Sequence, residues 1–148
     1  VFTKFPYQYK KVEFGEIVNP VVRLQTLTLF GWREFKFLVD SGADVTTLPL
    51  STSEFFGVEI DKTKKIKLGG VESKGIDGYL AQIKLRIGNE EQDVRCYFID
   101  SEVISLLGRV DIFDQFTIIF DNEKKEIVFK KLIKEKCWFK RLMKRLRS

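Results

Sequence analysis

The chain contains no histidine. That excludes Ser-His and Cys-His nucleophilic sites and removes the commonest zinc ligand. Cysteine is scarce: Cys96 and Cys137 stand far apart in different contexts. They make no disulfide framework, and a reducing compartment is the default. Cys96 alternates with Arg95 and Tyr97 in a strand-like run and reads as packing. No apolar run approaches the ~18 residues of a membrane-spanning helix. No N-terminal segment joins a charged start, an apolar stretch and a small-residue cleavage site, so secretion is not indicated and a cytoplasmic chain is expected. Any chemistry must come from carboxylates, Lys, Tyr, Cys or backbone groups, and neither a metal nor a cofactor is expected.

What is present suits one globular domain. The 148 residues are 44% hydrophobic and 32% charged, enough to bury a real core. The net charge of +5 is uneven: residues 130–148 hold nine Lys/Arg and one acid, Glu135, a local +8 that leaves the remainder at −3. The basicity belongs to the tail and says little about the partners of the body. The expected division is a domain over residues 1–130 and a basic amphipathic helix over 131–148.

Along the chain the pattern is mostly β. The aromatic N-terminal segment, broken at Phe5-Pro6 and Asn19-Pro20, is expected to lie on the body. Val21 to Phe30 alternates and is rich in strand formers, Gly31-Trp32 reads as a turn, and Arg33 to Val39 returns. Ser51 to Phe56 reads as one short helical turn closed by Gly57. Lys64 to Leu68 is a strand, followed by the glycine-flanked tip Gly69 to Gly75. Strands over Gly78–Ile87 and Glu91–Ile99 flank Gly88-Asn89. Gly108 to Phe116 has helical spacing, which would leave Asp111 and Asp114 solvated on a helix. A last hairpin turns at Asp121–Lys125.

One stretch carries chemistry. Phe37-Leu38-Val39 delivers Asp40 into a tight turn, Ser41-Gly42-Ala43-Asp44, and a later apolar run meets a glycine at Leu106-Leu107-Gly108-Arg109. A lone Asp-Ser-Gly is a common turn sequence; the apolar lead-in, the following Ala-Asp and the second apolar-Gly-Arg turn set this one apart. Asp77-Gly78 lacks an intervening Ser or Thr and reads as a plain turn. The chain therefore holds a single aspartate turn of this kind.

These motifs resemble those of the retropepsin-like aspartic proteases, over roughly Pro20 to Phe129 and closer to the cellular and prokaryotic branch than to the viral one. The resemblance implies an all-β acid-protease barrel with one short helix, the C-terminal helix being additional. It implies that Asp40 is the catalytic acid/base, that Ser41 grips the partner loop, and that Gly42 backs the carboxylate. Ala43 and Leu107 support the loop, Asp44 and Arg109 form an ion pair bracing it, and Gly108 belongs to the supporting turn. It places a flap at Gly69, Gly70, Val71 and Ile76. Subsites near Val45, Thr47, Val71, Ile76 and Ile104 would be largely apolar. Amide hydrolysis needs one carboxylate as base and one carboxylic acid as proton donor, so the implied enzyme is a homodimer acting on an extended polypeptide. The alternative is a catalytically silent module of the same fold, used for dimerisation or peptide binding.

The tail has three readings. Placed on a helix, Leu132, Trp138, Phe139, Leu142, Met143 and Leu146 share one side, opposite most of the basic residues. It packs on the body or the other protomer, the favoured reading; or it lies peripherally on an anionic membrane surface; or, last, it binds nucleic acid, which is not expected because no aromatic platform interleaves with charges in the body.

Overall fold

The computed structural model describes residues 2–69, 75–133 and 137–147, with only the backbone of 137–140. Among the described residues twelve strands run in chain order: β1 Phe2–Pro6, β2 Gln8–Val12, β3 Gly15–Asn19, β4 Val21–Thr28, β5 Gly31–Val39, β6 Thr46–Pro49, β7 Lys65–Leu68, β8 Ile76–Ile87, β9 Glu90–Ile99, β10 Leu106–Leu107, β11 Phe116–Asp121 and β12 Glu126–Lys131. Helix α1 is Ser53–Phe56 and α2 is Cys137–Leu146. The chain is all-β in class.

Seven strands form one sheet in the order β4-β5-β10-β6-β9-β8-β7. It curls back on itself where Gln25 pairs with Arg86 and Thr26 with Leu85, a seam of only two residue pairs rather than a fully joined barrel wall. Alternation drives the curl. Along β4, Val22, Leu24, Thr26 and Thr28 point inward while Arg23 and Gln25 point out. Phe37, Leu85, Val94, Phe98, Leu107 and Ile112 meet them in the core, each large side chain contributing on the order of 1.5–3 kcal/mol by leaving water. Cys96 is free and fully buried among them, and burial pushes its thiol up to about 12.

The β4–β5 hairpin turns two residues earlier than the sequence suggests. Leu29-Phe30 makes the turn, and Gly31 opens β5 at φ +86°. The Thr28 hydroxyl organises it, accepting from Phe30 N (3.0 Å) and donating to the Gly31 carbonyl (2.7 Å). The short helix forms where expected, preceded by a 3-10 turn at Leu50–Thr52 and ended by Gly57 at φ +67°. The Gly88-Asn89 turn joins β8 to β9.

The N-terminal segment is strand, which the sequence reading missed. β1 pairs antiparallel with β12, and β12 with β11, in a three-stranded sheet. Phe5 meets Phe129 edge-on at 5.3 Å. Tyr7 N donates to the Lys125 carbonyl (2.8 Å) and its hydroxyl to Asn122 Oδ1 (3.0 Å), fastening the segment to the last hairpin. β2 and β3 form a separate hairpin whose tip residue Phe14 is 98% exposed. The tail helix begins later than expected: Leu132 and Ile133 precede it outside any helix, and 134–136 lie outside the described residues.

Candidate active site

β5 ends at buried Val39, and half-buried Asp40 follows at the start of the turn. Two neighbouring segments hold the strand end. Val39 N donates to the Pro20 carbonyl (2.8 Å), and Asp40 N to the Leu107 carbonyl (3.1 Å). The Asp40 carboxylate is met from its own turn: Gly42 N donates to Oδ1 at 2.9 Å. Ala43 N closes the turn on the Asp40 carbonyl at 3.2 Å. Gly42 is outside the left-handed region, so its role is closeness; a Cβ there would sit 3.2 Å from Asp40 Oδ1. Ser41 and Asp44 are exposed and Ala43 is half-buried.

The second motif arrives as a strand inserted between β5 and β6. Leu106 and Leu107 run parallel to Leu38 and Val39, and Leu106 also pairs antiparallel with Thr47. Gly108 follows, and its N–H donates to the buried Thr46 hydroxyl at 3.0 Å. A Cβ at Gly108 would fall 2.4 Å from the Val45 carbonyl carbon, so only glycine fits. Arg109 N donates to the Ala43 carbonyl and Val110 N to the Asp44 carbonyl, both at 2.9 Å. The Arg109 guanidinium pairs with the Asp44 carboxylate. The two turns are thus laced together backbone to backbone. Because both charges of that pair are largely exposed, it contributes ~0–1 kcal/mol and matters for shape more than for stability.

The expected helix over Gly108–Phe116 is not regular. One irregular helical turn spans Arg109–Phe113, broken where Val110 is extended and Asp111 sits at φ 66°. Asp111 is half-buried and paired rather than freely solvated, contrary to the sequence reading. Its carboxylate accepts from Arg95 N (2.9 Å), Arg95 Nε (2.9 Å) and Arg95 Nη2 (3.0 Å). The Arg95 guanidinium holds the Asp111 carboxyl below the usual range, and Asp111 in turn raises Arg95. This joint ties β9 to the turn that follows Gly108. No local signal could have found it, since Arg95 alternates outward on a distant strand. Asp114 is exposed, as read.

The hairpin expected to act as a flap is formed at its stem. β7 and β8 pair from Lys65↔Tyr79 to Leu68↔Ile76. Gly69 ends the stem and Ile76 is 39% exposed; Gly70 and Val71 lie outside the described residues. Asp77 on β8 pairs with Lys65 Nζ (3.5 Å) and with Lys67 on the opposite strand. A hydrogen bond from Lys67 is the main cause of its lowered carboxyl titration. Among the described residues, no hydrogen bond or ion pair links Gly69 or Ile76 to the Asp40 turn. The structure brings together Asp40–Asp44 with Leu107–Arg109. Of the expected subsite residues, Val45 and Thr47 are half-buried beside that turn and Ile104 is exposed.

A curled all-β chain with an aspartate turn seated on an apolar-Gly-Arg turn defines an acid-protease architecture. Residues 24–110 match the family model described as aspartyl protease, and the chain belongs to that family. A retropepsin-like aspartic protease from Rickettsia conorii shares the fold with a TM-score of 0.56 at 18% identity, over 87% of this chain and 91% of that one. The EIAV protease complexed with the inhibitor HBY-793 aligns with a TM-score of 0.50 at 18% identity, over 62% of this chain and 82% of that one. The fold is retropepsin-like. No curated protein matches the chain.

Proposed function

We propose that the chain is an aspartic endopeptidase whose catalytic dyad is made of two Asp40 carboxyls, one from each protomer of a homodimer. The observation that carries this is the seating of Asp40. An apolar strand ends at a carboxylate that accepts a backbone N–H from Gly42, in a turn whose Ala43 and Asp44 carbonyls accept from Arg109 and Val110 N–H groups. Two carboxyls ~3 Å apart share one proton. The ionised one takes a proton from water, and the protonated one donates to the scissile carbonyl oxygen. No histidine exists to do either task. An extended polypeptide lies across the paired turns as a strand, and the β7–β8 hairpin serves as the flap over it.

Asp40→Asn tests the reading. Asparagine keeps the shape and the Gly42 hydrogen bond but cannot exchange the proton. Cleavage of a peptide library should drop by about 10²–10⁴-fold or more, with unchanged far-ultraviolet circular dichroism. Undiminished cleavage by the variant would remove Asp40 from the chemistry. An assembled wild-type dimer that cleaves nothing would make the chain a silent binding module.

A further inference from the structure

We propose that α2 is an interfacial anchor that lays the protein on an anionic lipid surface, an inference independent of the protease reading. The helix carries no acidic residue over Cys137–Leu146. Leu142, Met143 and Leu146 are 44%, 39% and 73% exposed, so these three side chains are not buried on the body of their own chain. Leu142 and Leu146 are four apart and Met143 and Leu146 three apart, which stacks them on one side. At ~100° per residue, Arg141 and Lys144 fall on the opposite side and Arg145 at the edge of the stripe.

Three occupants could cover such a stripe, and charge decides between them. A second protomer would bring its own basic helix, +4 against +4 over residues 137–146, which like-charge repulsion opposes. A nucleic acid would satisfy the basic side and leave the apolar stripe in water. An anionic bilayer satisfies both, with Leu and Met below the headgroups and Arg and Lys among them. Ten residues span ~15 Å, too short to cross, and no helix among the described residues is long and apolar enough to do so. The remainder of the chain, at −3, leaves the tail as the part drawn to such a surface.

Vesicle flotation of the full chain tests this. Mixed phosphatidylcholine–phosphatidylglycerol vesicles should retain it about tenfold or more better than phosphatidylcholine alone, and added salt should weaken retention. Leu142→Ser with Leu146→Ser, and separately Arg141→Glu with Lys144→Glu, should each lower retention about tenfold or more while circular dichroism stays unchanged. Equal recovery on neutral and anionic vesicles, no recovery on either, or variants that float like wild type would overturn the proposal. So would retention by an RNA oligonucleotide without vesicle binding, or a serine pair whose only effect is a lower mass in light scattering.

Discussion

Asp111 shows how one side chain can fasten a functional turn from behind. A non-glycine residue at φ 66° carries strain of ~1–2 kcal/mol, yet its carboxylate takes three hydrogen bonds from Arg95. Asparagine tolerates that backbone and alanine does not. Asp111→Asn should therefore destabilise by roughly 1 kcal/mol, because Arg95 is well exposed, and Asp111→Ala by roughly 2 or more. The native carboxyl is held below its ordinary value, so its contribution is complete above the unfolded value of ~3.9 and is lost as pH falls through the depressed native one. Urea midpoints at neutral pH should separate wild type from Asp111→Asn, and the gap should close on acidification below about pH 4. A gap constant with pH would mean the carboxylate charge plays no part. Gly108 acts in the same region by absence of a side chain, since Val45 occupies the space.

The elements divide into those that hold the site and those that hang from the body, and burial separates them. β1 completes the sheet under the last hairpin, and Phe5 packs on Phe129. Phe14 at the β2–β3 tip touches water almost everywhere. Phe5→Ala should cost about 2 kcal/mol, whereas Phe14→Ala should stay within about 0.5 kcal/mol. Thermal or urea unfolding of the two variants checks the pair, and equal effects would contradict the register of β1 on β12. The hairpins at β4–β5 and β8–β9 were legible in the sequence because inward and outward residues alternate and a glycine stands in or beside each turn. The Asp40 turn and the Leu107-Gly108-Arg109 turn were legible as paired motifs. β1 was not, because its own residues alternate only between exposed and half-buried, and its partner lies more than a hundred positions away. The irregular turn at Val110–Asp111 was misread as helix because Val110, Ile112, Phe113 and Phe116 mimic helical spacing. What sets its true shape is Arg95, far along the chain.

The whole molecule presents one Asp40 turn per chain, and the proposed chemistry needs two. That arithmetic yields a prediction independent of any image of the dimer. Asp40→Asn subunits should pair as readily as wild type, because the substitution keeps the shape of the turn and its backbone lacing to Arg109 and Val110. A mixed dimer then holds one carboxyl and one amide, and cannot supply both a base and an acid. With wild-type chain held constant and subunits allowed to exchange, an equal amount of Asp40→Asn chain should lower peptide cleavage to about half, and a threefold excess to about a quarter. Dilution of wild type alone should lower specific activity as dimers dissociate, and a tight substrate analogue should restore the dimer by mass action. A chain that completes the reaction alone would ignore both added variant and dilution. Activity that falls on dilution but resists poisoning by the variant would mean that two protomers are required while a single Asp40 suffices, and the shared-proton mechanism would have to be abandoned.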